Sequence, residues 1–243
     1  IKTYARAQLM NVTLPQEYAR FHREGKLKYD VLQQAFASQY KKIENGALKL
    51  YRDFEFDGTG YSYDLTRLDV RYGVEIDKIS IKGAVDSHSN TGSTVRLGLR
   101  MEYQPESYRS QGNQDLLGVY VRLIDTDDGQ GLRLSYNVFG CMDTGCSQEY
   151  GMPDASGDFP VDQSVADGEE HTLGIEYLSD SNAFRISFDE FASTIDMDDS
   201  SWDAFDAADF HRCYIHAMVS DIDSEGDSGS ITATVDDVMI NDA

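Results

Sequence analysis

The sequence is poor in cysteine, proline, tryptophan and basic residues, and it contains no long hydrophobic run. Its 243 residues include 3 cysteines, 4 prolines and 1 tryptophan. No stretch approaches the roughly 18 apolar residues of a transmembrane helix, so no transmembrane segment is predicted. Residues 1–6 lack the hydrophobic region of a signal peptide. The chain begins at Ile rather than Met, which leaves room for a leader or an upstream domain.

Basic residues are scarce and unevenly distributed. The chain has 21 Lys and Arg against 43 Asp and Glu, a net charge of −22. Residues 1–53 carry 10 basic against 5 acidic residues, whereas residues 54–243 carry 11 against 38, a net charge of −27. Such a surface repels nucleic acid and anionic membranes and attracts cations, including calcium. The alternative is that the acidity only maintains solubility, as in secreted or salt-exposed proteins.

Residues 1–46 are predicted to form a helical N-terminal arm. Thr13 followed by Pro15 suits the start of one helix, and a second is predicted from near Asp30 to Asn45-Gly46, a helix-ending pair. Such an amphipathic arm is not stable alone, so it is expected to pack on the remaining chain or on neighbouring domains.

From Ala47 onward, apolar and polar residues alternate with a period of two, which is typical of antiparallel strands with one solvated face. Strands are predicted at Leu48–Phe56, Val74–Lys82, Val95–Met101, Leu117–Leu123, Leu132–Val138, His171–Leu178, Ala183–Phe188, Cys213–Val219 and Ile231–Ile240. A short helix is predicted at Ser201–Phe210. The pattern predicts a mostly β protein, an antiparallel two-sheet β-sandwich or jelly roll, over residues 47–243.

Two segments resemble the concanavalin A-like lectins and glucanases. Residues 170–189 resemble a hairpin common in that superfamily, and residues 233–240 resemble its last strand. The resemblance covers roughly residues 47–243 and implies a jelly roll whose concave face binds carbohydrate. It also implies a structural calcium near the last strand, which makes Asp236 a candidate ligand. Residues 1–46 have no counterpart there.

Glucanases of this superfamily carry Glu-x-Asp-x-x-Glu on one strand. This sequence has Glu75 and Asp77, but Ser80 replaces the third carboxylate. Retaining hydrolysis needs two carboxyl groups about 5–5.5 Å apart, so the inherited glucanase mechanism is not expected here.

A basic cluster is predicted on the polar faces of three successive strands. Alternation places its members on the solvent side of one sheet, provided the strands are neighbours. The cluster consists of Arg96, Arg100, Tyr120, Arg122, Arg133, Ser135 and Asn137. Because the arginine fork matches carboxylate and sulfate oxygens, one hypothesis is a groove for an acidic poly- or oligosaccharide. The other is that local acids such as Glu102 pair with the arginines.

His216 alternates with Tyr214 on a later strand. Jelly-roll polysaccharide lyases combine arginine, histidine and tyrosine, so Arg100, Tyr120 and His216 are the candidate catalytic residues if the protein is a lyase. A structural histidine is the alternative.

The acidic turn at Asp221, Asp223 and Glu225, with glycine at the sixth position, is half of a calcium loop. Its twelfth position is Thr232, so it is not an EF-hand. Structural calcium is therefore a predicted cofactor, and a metal-free turn is the alternative.

Cys141 and Cys146 lie close enough in sequence to close a small disulfide loop, which suits an oxidising compartment. Cys213 is predicted to be a buried free thiol. We therefore predict a secreted, periplasmic or cell-surface carbohydrate-binding, lectin-like module. The alternatives are a polysaccharide lyase or divergent glycoside hydrolase, and an adhesion or sensor ectodomain.

Overall fold

The computed structural model describes residues 41–56, 58, 63–71, 76–104, 116–141, 156–158, 165–197 and 210–240. Thirteen strands lie within these residues. They are β1 (Lys41–Glu44), β2 (Ala47–Glu55), β3 (Tyr63–Arg71), β4 (Lys78–Thr91), β5 (Thr94–Gln104), β6 (Leu116–Asp125), β7 (Arg133–Cys141), β8 (Ser156–Asp158), β9 (His171–Leu178), β10 (Ala183–Phe188), β11 (Phe191–Asp196), β12 (Phe210–Ser220) and β13 (Ser228–Ile240).

The strands form two antiparallel sheets, which confirms the predicted β-sandwich. One sheet has seven strands in the order β1-β2-β13-β4-β9-β10-β11. The other has six, in the order β3-β12-β5-β6-β7-β8. Because strands distant in sequence are neighbours in both sheets, the connections cross between sheets, as in a jelly roll. Among the described residues, no helix is long and apolar enough to cross a membrane.

The hydrophobic core lies between the sheets and consists of every second residue of the central strands. On β5, Val95, Leu97, Leu99 and Met101 are fully buried there. From the opposite sheet, Phe184 is also fully buried against this layer. Since side chains on a strand alternate between faces, the residues between these apolar positions point away from the core. The core thereby orients the polar face of the six-stranded sheet.

The end of the predicted helical arm is a strand. Lys41–Glu44 pairs with β2 in register, with Glu44 opposite Ala47. The intervening Asn45 and Gly46 have φ of 51° and 85°, the left-handed conformation of a tight hairpin turn rather than a helix end. Residues 1–40 lie outside the described residues, so the division into an arm and a sandwich stays a prediction.

The predicted short helix Ser201–Phe210 lies outside the described residues except for Phe210, which begins β12. Sequence alternation did not predict β3, β8 or β11. In β3, Asp64 forms an ion pair with Arg52 of the opposite sheet, and Thr66 is buried. Polar residues therefore occupy positions of β3 at which period-two alternation would place apolar residues.

Candidate functional site

The outer face of the six-stranded sheet carries the predicted basic cluster in cross-strand rows. One row runs from β12 to β7 through Tyr214, Arg100, Tyr120 and Asn137. The next runs from β3 to β7 through Arg67, His216, Gly98, Arg122 and Ser135. Arg96 lies beside the second row on β5, and Arg133 lies at the start of β7. We call this surface the arginine face; the structure brings together all the residues predicted for it.

Arg100 is held in place by a network of local contacts. Its guanidinium forms an ion pair with Glu102, whose side chain is 5% exposed. Its Nη1 donates a hydrogen bond of 2.5 Å to the hydroxyl of Tyr214. The guanidinium carbon lies 4.3 Å from the ring centroid of Tyr120 and 5.1 Å from that of Phe139. Arg100 therefore has the local acid partner that one of the two hypotheses required.

Arg96 is bonded differently. Its Nη2 donates to the hydroxyl of Ser220 at 2.7 Å, and its buried Nε has no hydrogen-bond partner. No ion pair involves Arg96 among the described side chains. Burial lowers the pKa of Arg96, partly offset by Asp221. An arginine remains protonated despite such a shift. Arg96 therefore contributes a positive charge to the face, and Ser220 links it to Asp221, since the Ser220 hydroxyl donates to Asp221 at 3.1 Å.

The remaining arginines of the prediction are Arg122 and Arg133. Arg122 Nη2 lies 3.4 Å from the hydroxyl of Ser135. Arg133 forms an ion pair with Asp128 at 3.0 Å and is thus neutralised at the edge of the sheet. Arg122 lies in the row of Gly98 and His216 and adds a guanidinium charge there.

His216 lies at the centre of this charge and is 3% exposed. Its Nδ1 is buried without a hydrogen-bond partner. Burial lowers its pKa well below 6.5, and the charges of Arg96, Arg100, Arg122 and Arg67 lower it further. The imidazole is therefore neutral near pH 7 and able to accept a proton.

Two tyrosines flank Arg100. Burial raises the pKa of Tyr120 and that of Tyr214, and in both the positive charge of Arg100 opposes the shift. Both phenols are therefore protonated near neutral pH and able to donate a proton. Tyr214 lies 5.5 Å from His216 between ring centroids. The face thus combines neutral acid and base groups with guanidinium groups.

Sequence reasoning left out Arg67, because β3 was not predicted, and it missed the role of two glycines. The ring of His216 lies across Gly98, and the ring of Phe139 lies across Gly118. Both glycines occupy outward positions on otherwise well-alternating strands. A glycine in the middle of such a strand often marks a site where another group packs closely against the backbone. The two glycines were therefore the sequence signal for the packing of these rings.

The predicted calcium ligands are not gathered into a metal site. No group of three or more His, Cys, Asp or Glu side chains that could hold a metal exists among the described residues. In the acidic turn, Asp223 and Ser224 donate their backbone N–H groups to Asp227 at 3.0 and 2.7 Å. Asp221, Asp223 and Glu225 are exposed, and Asp236 lies half-buried on β13. Calcium binding stays a prediction.

The cysteines differ in state. Cys141 is disulfide-bonded, and Cys213 is a buried free thiol. The predicted partner Cys146 lies outside the described residues.

Of the glucanase-like residues, Asp77 and Ser80 belong to the seven-stranded sheet rather than to the arginine face. Asp77 precedes β4 of the seven-stranded sheet, where its backbone carbonyl accepts the N–H of Tyr177 at 2.6 Å. Ser80 is paired with Gly174 in the same sheet. Glu75 lies outside the described residues.

Known structures share this sandwich although the sequences have diverged widely. Alginate lyase A1-II′, a member of polysaccharide lyase family 7, matches with a TM-score of 0.54 at 11% identity, over 87% of this chain and 86% of that one. The GH16 protein of a Bacteroides ovatus mixed linkage glucan PUL matches with a TM-score of 0.54 at 14% identity, over 85% and 87%. The catalytic domain of an endo-1,3-β-glucanase (laminarinase) from Thermotoga petrophila matches with a TM-score of 0.51 at 15% identity, over 84% and 80%.

The chain shares the two-sheet jelly-roll fold of these structures. No protein-family model and no curated protein sequence matches the chain. At these identities the structural likeness establishes the fold alone.

Proposed function

We propose that the protein is a polysaccharide lyase that cleaves an acidic, uronate-containing glycan on the arginine face. The observation that carries the proposal is the position of His216 in the row of Arg122, next to the row of Tyr214, Arg100 and Tyr120, where burial keeps the imidazole neutral. The named structural neighbours are enzymes acting on polysaccharides, which supports an enzyme over the lectin-like module that sequence analysis placed first.

The charge of the face supports an acidic substrate. Arg96 and Arg122 are half-buried, and their guanidinium groups are hydrogen-bonded to the hydroxyls of Ser220 and Ser135. A uronate carboxylate would be a suitable ligand for these groups, because guanidinium recognises carboxylate through two parallel hydrogen bonds. A neutral glucan offers no such partner.

Hydrolysis is the alternative reaction to consider at this face. Glycosidases use two carboxyl groups, about 5–5.5 Å apart when configuration is retained and about 6.5–9.5 Å when it is inverted. Glu102 lies on the face with its charge paired to Arg100, and the register places Asp69 of β3 in the row of Tyr214 and Asp158 of β8 in the row of Ser135. A neutral glucan is therefore tested beside the acidic one.

The proposed step is β-elimination. Arg96 and Arg122 neutralise the uronate carboxylate, which acidifies the C5 proton. Neutral His216 accepts that proton, a C4–C5 double bond forms, and the C4–O4 bond breaks as Tyr120 donates its proton to the leaving oxygen. Arg100 positions both tyrosines through the contacts described above.

A carbohydrate-binding module is the second candidate. It is favoured by the burial of the reactive groups, since Tyr214 is 5% exposed and His216 is 3% exposed. A binding surface needs arginines that a ligand can contact, but it does not need a base that the ligand can reach.

One assay separates these functions. The protein is incubated with polyuronates and, in parallel, with mixed-linkage β-glucan, while ultraviolet absorbance of the unsaturated uronate, reducing ends and binding are recorded. A lyase produces absorbance with polyuronate, a hydrolase produces reducing ends without it, and a binding module produces neither. Arg96→Ala should weaken polyuronate binding about tenfold, because a hydrogen bond to a charged group contributes about 1.5–3 kcal/mol. Arg185→Ala, an exposed arginine of the other sheet, is the matched control. Polyuronate that is bound but not cleaved would overturn the lyase in favour of the binding module, and polyuronate that is neither cleaved nor bound would overturn both.

A further inference from the structure

Gly98 lies directly opposite His216 in the pairing of β5 with β12. A Cβ atom on residue 98 would be 2.2 Å from Cε1 and 2.6 Å from Nε2 of the imidazole. The imidazole ring therefore occupies the space that a side chain at position 98 would take. Gly98 does not belong to the glycines with positive φ, so its backbone conformation does not call for glycine. The space taken by the imidazole does.

The position that Gly98 leaves open is surrounded by positive charge. The charged and titratable groups around His216 include Arg67 from β3, Arg96 and Arg100 from β5, Arg122 from β6 and Tyr214 from β12, and Glu102 of β5 is paired with Arg100. Protonating an imidazole there would place a further positive charge beside these guanidinium groups in a buried site. The location of the ring therefore determines its protonation state.

We propose that Gly98 is a positioning residue of the arginine face: by lacking a side chain it seats the His216 imidazole against β5, among the arginines, and keeps it neutral. This proposal concerns the position and protonation state of His216 and needs no lyase activity. Only its predicted effect on turnover rests on the proposed lyase function. Any side chain at position 98 would displace the ring towards solvent, where it would protonate at a pH closer to its ordinary value.

The chain contains a matched control. Gly118 on β6 is opposite Phe139 on β7, and a Cβ there would lie 2.2 Å from Cε1 of the phenyl ring. Gly98→Ala and Gly118→Ala therefore impose the same crowding on neighbouring strands of one sheet. Only the first crowds a titratable ring.

The experiment is an NMR titration of the imidazole signals in the full chain, with the His216 signal identified by its loss in His216→Gln. In the native protein the signal should stay that of neutral imidazole to well below pH 6.5. In Gly98→Ala the midpoint should rise by about one pH unit or more, whereas in Gly118→Ala it should not move. An unchanged midpoint in Gly98→Ala, or an equal rise in both variants, would overturn the proposal.

A double-mutant cycle covers the case in which Gly98→Ala is too unstable to titrate. Gly98→Ala should lower the urea midpoint of the native protein but have little effect in a His216→Ala background, because the clashing ring is gone. An equal decrease of the urea midpoint in both backgrounds would contradict the proposal that Gly98 positions the His216 ring. If the protein proves to be a lyase, the acid limb of the pH profile of kcat should move to higher pH in Gly98→Ala. A lack of lyase activity would sink the proposed function alone, since the titration and the cycle need no substrate.

Discussion

Truncating Arg100 should destabilise the protein far more than truncating Arg96, although both arginines lie on the same strand and face. Arg100 loses a buried ion pair with Glu102, a hydrogen bond to Tyr214 and stacking on Tyr120. A hydrogen bond to a charged group contributes about 1.5–3 kcal/mol and a cation–π contact about 0.5–2 kcal/mol. Relief of repulsion from the neighbouring cations offsets part of this loss. We therefore expect Arg100→Ala to lower the free energy of unfolding by about 3 kcal/mol.

The assay is urea unfolding at pH 7.5, where this loss should lower the midpoint by about 1 M or more. Arg96→Ala removes one hydrogen bond to the Ser220 hydroxyl and should cost about 1 kcal/mol or less. Arg185→Ala removes an ion pair of 4.0 Å with a side chain that is 54% exposed, and should change stability by less than about 0.5 kcal/mol. If Arg100→Ala resembles either control, the network described around Arg100 does not stabilise the fold.

Three further predictions concern pH, metal and thiols. The pKa of His216 is lower in the folded protein, so the unfolded state binds more protons below about pH 6.5. The free energy of unfolding should therefore fall as the pH drops below that value, and it should fall less steeply in His216→Gln. Identical pH slopes for the two proteins in urea unfolding would contradict this. If the turn Asp221–Asp227 binds calcium, excess calcium should raise the melting temperature above that with chelator, since about 2.7 kcal/mol is gained at one hundred times Kd; equal temperatures would refute it. Alkylation without reduction should label Cys213 alone in the denatured protein, with Cys141 and Cys146 protected, as read by mass spectrometry.

The period-two alternation carried most of the fold prediction, because the core between the sheets is built from alternate residues of each strand. The alternation did not predict β3, where polar residues form contacts between the two sheets. Asp64 of β3 bonds to Arg52 across the sheets, so no apolar series marks the strand. It also failed at Asn45-Gly46, because positive φ suits both a helix end and a hairpin turn. Only pairing with a distant partner distinguishes the two.

The candidate site was predictable as a set of outward residues but not as a set of contacts. Alternation places Arg100 and Glu102 on the same face, yet the sequence does not reveal that these two pair while Arg96 bonds to Ser220. Those choices depend on register with β12, which lies more than one hundred residues away in sequence. The same register brings His216 over Gly98.

The charge distribution divides recognition into a long-range and a short-range part. Residues 54–243 carry a net charge of −27, so a polyanionic glycan is repelled as it approaches. Added salt screens that repulsion first, because it acts over distances beyond the Debye length of about 8 Å at physiological ionic strength. Contacts with the half-buried Arg96 and Arg122 are screened much less. Affinity for an acidic glycan must therefore arise from direct contacts at the arginine face rather than from electrostatic steering, which selects for ligands whose carboxylates fit the guanidinium positions.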